Sequence, residues 1–194
     1  PSAMDMTPVN APTGGAWTDL GQVSLGSSDT LVLSSGNYYN SGTTATKKNF
    51  KMTGSATVIV SGDVVLKVAN KFWMTGTSEI LVTPGSSLTV YVEGNIDLSG
   101  SGIVNTSSIP ANVQIYGGAN TTDCDITGSV EFFGVVFAPN AQVRLTGTTD
   151  IYGSIVGRTV SMTGGGTLHY DEALANLGGS GSSGSITIVS WREI

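Results

Sequence analysis

A short motif, an apolar residue followed by Thr or Ser and then Gly, recurs six times along this chain. It reads Met52-Thr53-Gly54, Met74-Thr75-Gly76, Leu98-Ser99-Gly100, Ile126-Thr127-Gly128, Leu145-Thr146-Gly147 and Met162-Thr163-Gly164. The glycines lie 22, 24, 28, 19 and 17 residues apart, and their flanks repeat with them. Third after each glycine stand Thr57, Glu79, Ile103, Glu131, Asp150 and Thr167; fourth stand Val58, Ile80, Val104, Phe132, Ile151 and Leu168. A unit of about 20 residues copied six times marks a repeat architecture, in which each copy buries its apolar side only by stacking on its neighbours.

Between the motifs the pattern has period two. Val64-Val65-Leu66-Lys67-Val68 and Leu88-Thr89-Val90-Tyr91-Val92 alternate apolar residues with Lys67, Thr89 and Tyr91 on the other side. That is the period of a half-buried strand. Turn sequences such as Pro84-Gly85 and Gly94-Asn95 divide each unit into two or three short strands. These patterns predict an all-β fold, a single-stranded parallel β-helix (β-solenoid). Unequal repeat lengths favour the right-handed form, and a β-sandwich is the alternative. Stacking turns sequence columns into stripes. Met52, Met74, Leu98, Ile126, Leu145 and Met162 are expected to face the interior, the glycines to sit at corners, and the Thr/Ser column between them to form a ladder of side-chain hydrogen bonds.

Composition agrees. Gly, Ser and Thr make 75 of 194 residues while only 11 % are charged, and hydrophobic residues still reach 39 %. Helical bundles and disordered linkers are excluded by that mixture. A net charge of −6 argues against nucleic-acid binding. The lysines cluster (Lys47, Lys48, Lys51, Lys67, Lys71) and read as a solvated patch. The lone Cys124 allows no intrachain disulfide and, between Asp123 and Asp125, reads as inert, with the two acids forming a turn. No apolar run is long enough to span a membrane as a helix.

Residues 1–16 read as a loose lead-in, opening on an expression scar, Pro-Ser-Ala-Met. Residues 17–177 form the solenoid, closed by a short helix, Asp171-Glu172-Ala173-Leu174-Ala175-Asn176-Leu177, with Asp171 as its N-cap. Residues 178–185 are a Gly/Ser linker. Residues 186–194 contain a final strand, Ile186-Thr187-Ile188-Val189-Ser190-Trp191, expected to return along the outside of the solenoid.

Several blocks are more specific than the Thr-Gly motif: Ser35-Gly36-Asn37-Tyr38-Tyr39, the run from Phe133 through Ala138-Pro139-Asn140-Ala141, Ile151-Tyr152-Gly153-Ser154-Ile155-Val156-Gly157, His169-Tyr170-Asp171-Glu172-Ala173-Leu174 and Trp191-Arg192-Glu193. From about Leu31 onward they resemble a domain of uncharacterised function in bacterial type IV pilus-associated (PilX-like) envelope proteins. There the domain follows a pilin-like membrane segment, which this sequence does not include. The resemblance implies an extracellular or envelope-exposed solenoid and carries no catalytic residues with it.

Two columns are the candidate functional face. Glu79, Glu131 and Asp150 fall into one outward acidic column, where neighbours on adjacent coils can split their pKa values or bind a cation. Fifth after each glycine stand Ile59, Leu81, Asn105, Phe133, Tyr152 and His169. Leu81, Phe133, Tyr152 and His169 would form an apolar-aromatic face, covered by the C-terminal strand or stacked on sugar rings. A lone histidine lacks the partners of a metal site or a triad. The expected function is therefore a non-enzymatic, surface-displayed structural or adhesion module without cofactor. Its partners would be surface glycans or other envelope or pilus proteins, with no nucleic acid and no membrane contact. Carbohydrate binding, polysaccharide cleavage by the acidic column, and ice binding by ranks of Thr-Gly-Thr hydroxyls are the alternatives.

Overall fold

A computed structural model describes residues 6–41, 44, 48–128, 131–148 and 150–176. Alternation of apolar and polar residues makes short strands with one buried and one exposed side, and these pair across repeats. Every strand pairing among the described residues is parallel. The result is an all-β fold, one parallel sheet of fifteen strands curled around its own core.

The strands fall into three ladders. In the first, β2 (Val23–Leu25), β4 (Phe50–Met52), β6 (Phe72–Met74), β9 (Ile96–Leu98) and β12 (Asp123–Gly128) pair in that order. It continues through the later halves of β13 (Phe132–Gly147) and β14 (Ile151–Thr163). The second joins the early halves of β3 (Thr30–Asn40) and β5 (Thr57–Val68) to β7 (Glu79–Val82) and β10 (Gly102–Asn105). The early parts of β13 and β14 pair likewise with β15 (Leu168–Tyr170). The third runs from β1 (Trp17–Asp19) through the later halves of β3 and β5 to β8 (Ser87–Val92), β11 (Val113–Gly117) and the middles of β13 and β14.

Register follows the motif alignment except in the third repeat. Gly102, not Ile103, pairs with Glu79, and Val104, not Asn105, pairs with Leu81. The turn there uses two left-handed glycines, Gly100 at φ +82° and Gly102 at φ +63°, and is one residue shorter than its counterpart from Gly76 to Glu79. Asn105 therefore turns inward, 5 % exposed, and its Nδ2 donates to Ile109 O (2.8 Å) and Phe133 O (3.2 Å).

The corner glycines behave as expected. Five of the six motif glycines have positive φ, and a Cβ on Gly76 would meet Gly54 O at 2.8 Å and Gly54 N at 3.0 Å. The hydroxyl column departs from expectation. Instead of bonding one another, Thr53 Oγ1 donates to Leu25 O (3.3 Å) and Ser99 Oγ to Met74 O (2.7 Å). Thr83 and Thr106 repeat this on the second ladder, donating to Val60 O and Val82 O (2.8 and 2.7 Å). Carbonyls released at each corner thus find donors in the next repeat.

The core is a file of stacked apolar residues, with Phe50 and Phe72 edge to face at 5.7 Å. Buried Asn40 donates to Lys48 O (2.5 Å) and accepts from Ala69 N (3.0 Å). Among the described residues no buried side-chain polar atom lacks a partner. The expected capping helix is a short 3-10 segment, Glu172–Asn176, begun by Asp171, whose Oδ1 accepts from Ala173 N (3.0 Å). Met162, expected inside, is 40 % exposed; it lies on the last strand of its column among the described residues. The Gly/Ser linker, the C-terminal strand and Lys47 lie outside the described residues.

Two glycine substitutions separate steric from conformational cost. Gly76 and Gly85 share nearly the same φ (+77° and +75°), but a Cβ on Gly85 meets open space. Gly85→Ala is expected to cost about 1 kcal/mol through backbone strain alone. Gly76→Ala is expected to cost about 2–4 kcal/mol, since the neighbouring backbone must also move. Chemical denaturation measures both, and equal losses would contradict the close approach.

Candidate functional site

The second ladder places the expected aromatic residues in register. Phe133 pairs with Tyr152 and Tyr152 with His169. Their rings lie parallel: centroids are 4.6 Å apart and planes 10° apart for Phe133–Tyr152 and again for Tyr152–His169. The facing surfaces of the three rings therefore cover one another, and both faces of Tyr152 are occupied. Leu81 stands in the same ladder between Ile59 and Val104, with β10 lying between its strand and β13, which carries Phe133. The Asn105 bond to Phe133 O joins the two segments.

The acidic column is less continuous. Glu79 pairs with Thr57 on one side and with Gly102 on the other, so a glycine separates it from Glu131. Glu131 and Asp150 each immediately precede a paired residue, Phe132 and Ile151, and so stand on adjacent repeats. Asp150 is engaged in the opposite direction. Its Oδ1 accepts from Thr167 N (2.9 Å) and Thr167 Oγ1 (2.6 Å), and Thr167 Oγ1 lies 2.8 Å from His169 Nε2. The Thr167 hydroxyl, its backbone N–H and, more weakly, the His169 charge hold the Asp150 carboxyl below its ordinary 3.8. Among the described residues no group of three His, Cys, Asp or Glu is placed to hold a metal ion.

The structure also assembles two outward columns that sequence reading missed. On the first ladder, Ser24, Lys51, Trp73, Asp97, Asp125, Arg144 and Ser161 follow one another in register. Lys51 Nζ and Lys71 Nζ each lie 4.9 Å from the Trp73 ring centroid, and Lys71 Nζ also meets Asp97 at 3.0 Å. Arg144 bridges Asp125 through Nε and Nη2 (2.5 and 2.8 Å) and reaches Asp123 at 3.0 Å. Lys51 and Lys71 thus meet side chains of neighbouring repeats rather than being merely solvated, and Lys67 meets Glu93 at 3.7 Å on another face. Asp123 and Asp125 are strand residues, not turn formers, because Arg144 one repeat on neutralises both. Thr122 first and Arg144 second keep Asp123 below its ordinary pKa.

The other missed column lies on the third ladder: Tyr39, Lys67, Tyr91, Tyr116, Phe137 and Val156. Tyr91 and Tyr116 stack at 5.2 Å and 17°, and Phe137 tilts against Tyr116 at 6.3 Å. Period-two alternation was visible in each strand, but the one-to-one register between repeats of unequal length was not. A shallow polar groove follows the corner beside the first ladder, lined by Asn49, Asn70, Lys71, Asn95 and Thr122. Its amides bond along the groove: Asn70 Nδ2 donates to Asn49 Oδ1 (2.9 Å), and Asn95 Oδ1 accepts from Thr122 N (3.0 Å). A hydroxyl pair, Ser55 and Thr77 at 3.1 Å, marks the rank of Thr-Gly-Thr residues.

Two measurements check this picture. Cys124 is fully buried in strand β12, and burial, with the Asp125 charge, pushes its thiol up to about 12. It should resist a thiol reagent at pH 8 in the folded protein and react fully in denaturant. Asp19, Asp123 and Asp150 all sit below their ordinary 3.8 in the folded chain. Their contribution is complete above about pH 4 and is lost as the pH falls through the lower folded-state values. Urea midpoints at pH 7 and pH 3 should therefore differ, and Asp150→Asn should narrow the difference.

A family model described as a domain of unknown function (DUF7305) matches residues 9–177. No curated protein and no solved structure matches the chain.

Proposed function

The chain belongs to the DUF7305 family of domains of unknown function, and from that premise we propose that it is a right-handed β-solenoid acting as a non-enzymatic structural and adhesion module of a pilus-linked or envelope protein, displayed on the cell surface. The observation that carries the reading is that each outward column is occupied chiefly with its own neighbours. Ring faces stack on ring faces, both lysines lie over Trp73, and Arg144 holds two aspartates. Side chains tied along the repeat axis stiffen a rod and present a flat, pre-ordered sheet surface, which favours contact over turnover. Unequal repeat lengths of 17 to 28 residues support the right-handed form.

The ring geometry weighs against carbohydrate stacking as the main contact. Sugars pack on exposed aromatic faces, whereas here the facing surfaces meet at 4.6 Å and both faces of Tyr152 are occupied. Cleavage of a polysaccharide finds less support, since the Asp150 oxygen is held by Thr167. Adhesion would instead use the broad third-ladder surface around Tyr91, Tyr116 and Phe137. No helix among the described residues is long and apolar enough to cross a membrane, so display would depend on the rest of the parent protein.

The test uses the source bacterium. Antibody against the domain should label intact cells, and the Tyr116→Ala, Phe137→Ala double variant in the parent protein should reduce surface attachment at least several-fold while keeping display. Labelling that appears only after permeabilisation would reject the reading. Full attachment by the double variant would reject adhesion through that face.

A further inference from the structure

Where the third ladder turns into the first, the repeats leave a groove with a glycine as its floor. Lys48, Asn70, Gly94 and Thr122 each stand two residues before a paired strand residue, Phe50, Phe72, Ile96 and Cys124, and so follow one another from repeat to repeat. Gly94 has no room for a side chain: a Cβ there would lie 2.8 Å from Asn70 Oδ1 and 2.9 Å from Asn70 C. Its N–H donates to Asn70 O (3.1 Å). The missing side chain opens a hollow of about 550 Å³ between Asn70 and Thr122. Across β4, β6, β9 and β12 the groove runs along the repeat axis for about 14 Å, three strand spacings of ~4.8 Å.

Amides form the walls, and the chain itself fixes how they point. Asn49 Oδ1 accepts from Asn70 Nδ2 (2.9 Å) and Lys71 N (3.2 Å). Asn95 Oδ1 accepts from Thr122 N (3.0 Å), Thr122 Oγ1 (3.2 Å) and Asp123 N (3.2 Å). With each oxygen committed to the next repeat, the amide plane is set and the Nδ2 end is held as a donor. Asn49 Nδ2 and the exposed Asn120 side chain have no partner among the described residues, and Asn95 Nδ2 has only Asp123 Oδ2 at 3.4 Å.

Charges in and beside the groove are matched. Lys71 Nζ meets Asp97 at 3.0 Å, Glu93 meets Lys67 at 3.7 Å, and Asp123 meets Arg144 at 3.0 Å. The groove therefore offers oriented donors and acceptors but no unmatched charge. An ionic ligand would compete with an existing ion pair, and an apolar one would cover amides without bonding them. Hydroxyl groups, which both donate and accept, fit such a lining.

We infer that this groove binds a neutral, linear oligosaccharide, laid along the repeat axis over Gly94, with Asn49 Nδ2, Asn95 Nδ2 and the Asn120 amide as its hydrogen-bonding groups. Recognition there is by amides at a corner and needs no exposed ring face. The site shares no residue with the Tyr91–Tyr116–Phe137 surface, so it stands or falls apart from adhesion through that surface.

A glycan array carrying neutral gluco-, galacto- and manno-oligosaccharides beside uronate, sialylated and sulfated ones tests the inference on the full chain. Neutral glycans should bind, and the best of them, titrated into labelled protein, should shift the backbone amide signals of Gly94, Asn95, Asn120 and Thr122. Asn120→Ala removes an exposed side chain with no partner in the fold, and should weaken binding about threefold to tenfold without moving the urea midpoint. Asn49→Asp keeps an acceptor at Oδ1 but loses the donor, and should weaken it about tenfold. Tyr152→Ala, on the ring column, should leave binding unchanged. An array on which no neutral glycan binds, a preference for the acidic glycans, signal shifts confined to the ring column, or binding indifferent to both Asn variants would each overturn the proposal.

Discussion

Main-chain hydrogen bonds between successive repeats, all parallel and in register, are the constraint from which the other features follow. They hold neighbouring strands about 4.8 Å apart, so a residue type at one position is copied into a column at that spacing. At the corners the same spacing brings backbone against backbone. Gly76 must lack a Cβ because Gly54 O lies where that atom would sit. Thr83 and Thr106 donate to carbonyls one repeat back for the same reason.

Column spacing also governs charge. Like charges set side by side on adjacent strands repel, and a sparsely charged composition is one answer to that. The first ladder shows another. Asp97 and Asp125 are direct neighbours, and each is neutralised by a cation one step away, Lys71 for the first and Arg144 for the second. Exposed ion pairs of this kind each contribute about 0–1 kcal/mol. Their larger effect is on register: shifting one repeat by a residue would strand both acids and turn its apolar set outward.

The aromatic columns carry a functional consequence. Phe133, Tyr152 and His169 were legible as one column from their distance after each glycine. What the column can do was not, because that depends on ring tilt. At 4.6 Å and 10° the faces are occupied by each other, so the residues that suggested a sugar platform act first as a stacking brace. Likewise Asp150 was legible as a member of an acidic column, but its engagement with Thr167 depends on a side-chain rotamer that no spacing specifies.

The sequence by itself determined the repeat, the parallel all-β class, the corner glycines and most of the inward columns, because stacking forces the same local choice on every copy. It misplaced the third repeat by one residue, since two glycines shortened a turn whose length no periodicity records. It hid the Lys51–Trp73–Asp97–Asp125–Arg144 and Tyr91–Tyr116–Phe137 columns, whose members are 19 to 28 residues apart at irregular intervals. Only the tertiary structure decided which side chains meet across repeats. Those outcomes rest on register and rotamer, which arise when distant segments pair and are absent from any local pattern.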